Sequence, residues 1–317
     1  MNDSFGSRLP LSRTSIDRDH LSRALGVEAL LADPLARVVV LHDRKALLSG
    51  PAALALPTPG EVGAHELAVY LGRSIDDEAD LPAGSPITLL VVGEETAAGF
   101  GDDAQWGDLR MLGAELSVRD AGLFTEALAI ANWHTSYGFS PRTGRASIPD
   151  AAGWTRLDPG TETESGAESF PRTDSAIIVG ITDDDDRMLL GSNAMWEKNR
   201  FSLLAGFVEP GESLEAAVIR EVFEESGVHV IDPIYKGSQP WPFPASLMLG
   251  FRARVAPGTS TVGKADGEEI LEIRWFSREE MAAQVAAGEL RLPGATSIAR
   301  AIIDDWYGGE LPDGGRW

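Results

Sequence analysis

The stretch from Gly206 to Val228, GFVEPGESLEAAVIREVFEESGV, constrains this chain more than any other. Its centre, Arg220-Glu221-Val222-Phe223-Glu224-Glu225, has the spacing of an amphipathic helix. At about 100° per residue, with Glu221 as origin, Glu224 falls at about 300° and Glu225 at about 40°, so three carboxylates share one face. Val222, Ile219 and Phe223 fall at about 100°, about 160° and about 200°, which predicts that they form the packing face. Ser213 is placed as an N-cap, Glu215 suits the first turn, and Gly227 is placed to end the helix. Three carboxylates on one turn repel each other unless something cationic neutralises them. Hard oxygen ligands at this density suit Mg²⁺ or Mn²⁺, and such an ion can in turn hold a phosphate. A solvated acidic helix face fits the same six residues, and for an isolated E-x-x-E-E it is the commoner reading.

The rest of the chain narrows the setting. Its 317 residues are enough to bury a substantial core and predict two domains. The net charge of −22 opposes non-specific binding to nucleic acid or an anionic membrane, although arginines and metals can still gather one anionic nucleotide locally. No apolar run is long enough to span a membrane, and MNDSFGSRLPLSRTS lacks the apolar core of a signal peptide, so a cytoplasmic location is expected. The absence of cysteine excludes disulfides and thiolate zinc sites.

Taken in order, residues 1–20 read as a flexible start. Residues 21–134 read as an N-terminal α+β domain, with strands at 38–41 and 87–92, a loop over 50–60 and a helix over 120–134. Residues 135–172 change to a polar linker character, and 173–317 read as a further domain, the one that carries the carboxylate helix. There, strands at 176–181 and 188–190 flank the turn Asp183–Asp186, which reads as a hairpin and not a calcium loop. Further strands are expected at 246–255 and 272–276, and a last helix at 296–307. The order of mixed β and α around one helix is that of an α+β sandwich. Ser238-Gln239-Pro240-Trp241-Pro242-Phe243-Pro244-Ala245-Ser246 carries three prolines and so cannot be a central strand. Trp241 and Phe243 on so stiff a segment suit stacking on flat rings, though sealing the core is an equally physical role.

Gly206, five residues, Glu212, seven residues, and then Arg220-Glu221-Val222-x-Glu224-Glu225-x-Gly227-Val228 resemble the Nudix box with every fixed position filled. The segment Ser238–Ser246, about ten residues further on, resembles the SQPWPFPxS signature of the NADH pyrophosphatase subfamily. Trp133-His134, Phe170-Pro171-Arg172-Thr173-Asp174, Ser202–Glu212, Glu269–Trp275 and Ser297-Ile298-Ala299 resemble further segments of that subfamily. The resemblance implies a Nudix α/β/α sandwich with a mixed sheet, and hydrolysis of the pyrophosphate of NADH or NAD⁺ to nicotinamide mononucleotide and AMP. It implies Mg²⁺ or Mn²⁺ on Glu221, Glu224, Glu225, Glu269 and the Ala205 carbonyl, with Glu225 also activating water. Arg220 and Glu212 join the catalytic set, Arg220 either orienting the glutamates or touching phosphate. Phe170, Phe207, Gln239, Pro240, Trp241, Pro242, Phe243, Pro244, Ala245, Ser246 and Ala299 are the residues it assigns to the dinucleotide, one phenylalanine being supplied across a homodimer.

The chain also departs from its subfamily. Ser140 and Thr143 stand where the first pair of a four-cysteine zinc ribbon would be, and the second pair is missing within Thr161–Ala167. Hydroxyls do not replace thiolates on zinc, so no structural zinc is expected, and packing or a partner subunit must hold residues 135–172. Removal of NAD caps from RNA by the same chemistry, and a broader action on ADP-ribose, are the alternative activities. A catalytically dead sensor is disfavoured, because it need not keep Glu221, Glu224 and Glu225 together.

Overall fold

A computed structural model describes residues 5–101, 105–160 and 168–311. The chain divides into two compact units, one of residues 1–12, 174–240 and 246–317, the other of residues 13–173 and 241–245.

The second of these units is built on a mixed sheet of β1 (Ile16–Asp17), β2 (Arg37–His42), β3 (Lys45–Gly50), β4 (Ala53–Leu54), β5 (Leu67–Ser74), β6 (Pro86–Val91) and β7 (Trp106–Gly107). The strand order is β1-β5-β6-β2-β3-β4, with β7 also on β3. The long helix α1 (Val118–Ser136) lies against β2 and β5 and buries residues on nearly every side, Phe124, Leu128 and Trp133 among them. The expected loop at 50–60 instead holds β4 and a helical turn from Pro59 to Val62, which Thr58 and Glu61 close with a capping box. Past α1, β8 (Ile148–Asp150), β9 (Thr155–Leu157) and β10 (Glu168–Ser169) make a small antiparallel sheet.

The other unit is an α/β/α sandwich. Its mixed sheet has the order β14-β15-β11-β12-β16, with β13 also on β11. The strands are β11 (Asp174–Thr182), β12 (Met188–Asn193), β13 (Leu204–Phe207), β14 (Val230–Trp241), β15 (Ser246–Val255) and β16 (Ile270–Phe276). β11 and β15 run parallel, while β12 and β13 pair antiparallel to β11. Because side chains alternate along a strand, β11 feeds both cores. Ile177, Val179 and Ile181 pack with Val218 and Val222 of α2 (Leu214–Ser226). Ile178 packs on the opposite face with Met281 of α3 (Arg278–Ala286) and Ile302 and Trp306 of α4 (Ile298–Tyr307).

Three sequence expectations meet the structure here, and two of them change. Residues 5–12 are not loose, since Phe5, Leu9 and Leu11 are buried and Phe5 and Leu9 join the α3/α4 core. Turns at Phe5–Arg8 and Pro10–Ser12 turn these apolar groups to one side, a spacing too short to read as a helix. Pro240 and Trp241 do lie in a strand, but β14 is the sheet's edge, where a missing N–H is tolerated. The division also places Trp241–Ala245 with the N-terminal unit, while Gln239, Pro240 and Ser246 stay with the sandwich.

Candidate active site

The helix α2 begins and ends where its capping residues place it. The Ser213 hydroxyl accepts from the Ala216 amide, and Gly227 closes the helix in the left-handed conformation. Its orientation, however, corrects the expected packing face. Ala217, Val218, Val222, Glu225 and Ser226 are buried, whereas Ile219 and Phe223 are exposed. The buried stripe is centred at about 40–60° on the same wheel, so Glu225 points inward with the valines. Phe223 is satisfied from outside, stacking on His229 with ring centroids 4.7 Å apart.

Arg220 organises the carboxylates around it. Its Nε and Nη2 donate to the two oxygens of Glu212 at 2.9 and 2.8 Å, a bidentate pair. Its Nη1 lies 2.9 Å from both Glu221 Oε1 and Glu224 Oε2, and Nη2 also donates to the Phe207 carbonyl. Every nitrogen of this guanidinium is engaged, which is the arrangement of an orienting residue. Glu212 also accepts from the Glu209 amide, tying the loop ahead of α2 to the helix. A Cβ added to Gly206 would lie 2.0 Å from the Glu221 carboxyl carbon, so only glycine lets that carboxylate rest against β13.

Glu225 is the most unusual group present. It is buried, and its Oε2 has no hydrogen-bond partner. Burial pushes its carboxyl up to about 8; the Glu269, Glu221 and Asp266 carboxylates add to the shift, and a backbone hydrogen bond from Ala205 opposes it. Burial likewise raises Glu221, against the pull of Arg220. Asp266 takes the amides of Glu268, Glu269 and Ile270 on its Oδ1, and Glu269 itself is exposed.

These positions fit a divalent cation, since an unpartnered buried carboxylate oxygen flanked by three more carboxylates requires either a proton or a positive charge. Yet among the described residues no three His, Asp or Glu side chains converge to ligating distance of one point. The physical reason is Arg220, which draws Glu212, Glu221 and Glu224 to itself. Of the expected metal set, Glu221, Glu225 and Glu269 come within electrostatic reach of each other, while Glu224 is exposed on Arg220.

The other expected positions separate by environment. Phe207 ends β13 with its ring 60% exposed, and Phe170 is 66% exposed in the N-terminal unit. Gln239 is fully buried, its amide spent on the Thr296 carbonyl and the Leu11 N–H, and Ala299 is buried at the start of α4. Trp241 and Phe243 pack edge to face at 4.9 Å, with Arg110 4.5 Å from the Phe243 centroid. Asn132 of α1 donates to the carbonyls of Pro242 and Pro244 at 2.9 and 3.1 Å. Neither Asn132, Arg110 nor Asp266 stands out in the sequence, because each acts on backbone or ring faces far along the chain.

In the 135–172 segment, Ser140 is buried and its N–H donates to the Arg145 carbonyl, while the Thr143 hydroxyl and Arg145 both bond the buried Asp158. The missing second cysteine pair, 161–167, lies outside the described residues.

The sandwich with its carboxylate helix is that of a pyrophosphohydrolase. Residues 171–294 match the NUDIX domain model, and residues 35–133 match the model of the NADH pyrophosphatase-like rudimentary NUDIX domain. The chain is 40% identical over 289 residues to the "NAD-capped RNA hydrolase NudC" of Mycobacterium bovis BCG Pasteur, covering 89% of this chain and 86% of that one. The protein of the same name in Mycobacterium tuberculosis H37Rv gives the same figures. Human "NAD-capped RNA hydrolase NUDT12" is 37% identical over 200 residues, 61% of this chain and 43% of its own. This chain belongs to the Nudix hydrolases, in the branch that carries an NADH pyrophosphatase-like N-terminal domain.

Proposed function

We propose that the protein hydrolyses the pyrophosphate bond of NADH or NAD⁺ to nicotinamide mononucleotide and AMP, with Mg²⁺ or Mn²⁺ held by Glu221, Glu224, Glu225, Glu269 and the Ala205 carbonyl. The observation that supports it most is the Glu225 carboxylate, buried with an unpartnered Oε2 among Glu221, Glu269 and Asp266. Divalent ions, when bound, neutralise diphosphate charge and lower the pKa of water. Glu225 is assigned to take the proton of the attacking water, a role supported by its unpartnered Oε2. Arg220 keeps Glu212, Glu221 and Glu224 in register and does not itself reach for phosphate. Phe207 and Phe170, each exposed in its own unit, are the candidates for the nicotinamide, and Trp241 and Phe243 for further contact with the dinucleotide.

The names of the relatives favour NAD-capped RNA as a second substrate, cleaved by the same groups. A homodimer in the cytoplasm, without structural zinc, completes the proposal; no described helix is long and apolar enough to cross a membrane.

Purified protein with Mg²⁺ or Mn²⁺ is to be compared on NADH, NAD⁺, ADP-ribose and NAD-capped RNA. Cleavage of the NAD-containing substrates is expected, with ADP-ribose slower. Glu225→Gln should lower kcat by about 10²-fold or more, since loss of a positioned base and of a ligand charge costs that much. Full activity in that variant would remove Glu225 from the mechanism.

A further inference from the structure

The segment Lys264–Glu269 carries no regular structure, yet it delivers Glu269 to the start of β16 with its backbone held from both sides. Asp266 Oδ1 accepts from the amides of Glu268 at 2.7 Å, Glu269 at 3.0 Å and Ile270 at 3.0 Å. On the other side, the Glu269 carbonyl accepts from the Ala194 amide at 2.9 Å, and Gly267 N–H donates to the Ile270 carbonyl at 3.0 Å. Gly267 takes φ +82°, which closes the tight turn around the Asp266 carboxylate. The β12–β16 ladder shifts register between Ser192 and Asn193, opposite Ile270, so ordinary strand pairing stops beside Glu269. Five hydrogen bonds, three to the Asp266 carboxylate and two between backbone groups, then do what the ladder no longer does.

We infer that Asp266 is a positioning residue for the hydrolytic site, fixing the loop so that the Glu269 carboxylate stands beside Glu225 and is already placed to share a divalent cation with it. The inference rests on the proposed role of Glu269 as a ligand. Glu269 is exposed and no described side chain bonds its carboxylate, so backbone anchoring is its source of order. A carboxylate that must find its place on each encounter binds more weakly than one held in advance, because its ordering entropy is then charged to binding. Groups that orient ligands typically contribute about 10–100-fold to metal affinity.

The test is Mn²⁺ binding to the full chain by titration calorimetry, in parallel with NADH hydrolysis across Mn²⁺ concentration. Glu269→Gln serves as the reference variant. Asp266→Ala is expected to weaken Mn²⁺ binding about tenfold and to raise the Mn²⁺ concentration for half-maximal activity equally, with kcat recovered at saturating Mn²⁺. Asp266→Asn, which keeps an acceptor at Oδ1, is expected to restore affinity to within about threefold of the parent. Circular dichroism monitors folding, and Asp266→Ser carries the same comparison if the alanine variant unfolds. If Glu269→Gln weakens Mn²⁺ binding and neither Asp266→Ala nor Asp266→Ser does, the positioning role is wrong. If Glu269→Gln leaves binding unchanged, the ligand role fails instead, and the positioning role falls with it.

Discussion

Glu221 and Gly206 act as one unit, since the carboxylate occupies the space a side chain at Gly206 would need. Glu126 presents the same physics in the N-terminal unit. It is buried in α1, 3.1 Å from Arg18 and near Arg23, yet burial outweighs both cations and pushes its carboxyl up to about 7. The Arg18 contact lacks hydrogen-bond geometry at Oε1, which is why the ion pair recovers so little of the lost hydration. A carboxyl raised above its unfolded value near 4.5 binds protons more tightly in the folded chain. Its contribution to stability is therefore complete below pH of about 4.5 and is lost as pH rises through about 7. Glu126→Gln is expected to remove that fall, so that the melting temperature of the variant relative to the parent is higher at pH 8 than at pH 5. Equal differences at both values would mean that Glu126 ionises normally. Glu126 is far in sequence from Arg18 and Arg23, and no pattern there announces their meeting.

At the scale of elements, α2 was readable in its limits because Ser213 and Gly227 act locally, within one turn of the helix ends. Its facing was not. Ile219, Val222 and Phe223 make an apolar set by composition, but the sheet beneath accepts Val218 and Val222 and draws Glu225 in with them. Tertiary packing selected the face, and Glu225 and Ser226 are the polar residues buried along it. β11 was visible as an apolar run because both of its faces are covered. The first half of β14 was not, because Asp232, Ile234 and Tyr235 are exposed on a sheet edge and show no clean alternation. The turn after β14 depends on α1. Asn132 holds the Pro242 and Pro244 carbonyls, so it orders the backbone that carries Trp241 and Phe243. Asn132→Ala is expected to raise the KM for NADH about five- to tenfold with a much smaller change in kcat, the mark of lost binding order without lost chemistry. Steady-state kinetics decides it, and a fall in kcat at constant KM would place Asn132 elsewhere in the reaction.

At the scale of the whole molecule, one polar network ties the segment after α1 to the helix itself. Thr143, Arg145 and the Gly160 amide all bond Asp158, which is 1% exposed, and Arg156 joins His134 of α1 to Ser147. These bonds join hydroxyls, guanidinium groups, one imidazole and one buried carboxylate to each other, with no thiolate among them. Catalytic cations and fold stability should then separate on chelation. With EDTA, hydrolysis of NADH is expected to stop and to return fully with Mg²⁺ or Mn²⁺ alone. The melting temperature should drop only by the small amount that follows from losing weakly bound ions. A structural zinc site would behave differently, because its binding free energy of about 10 kcal/mol or more is folding free energy and its removal would unfold the segment. Elemental analysis finding stoichiometric zinc, together with a chelator-induced collapse that Mg²⁺ cannot reverse, would show that the Asp158 network is not sufficient to hold residues 135–172.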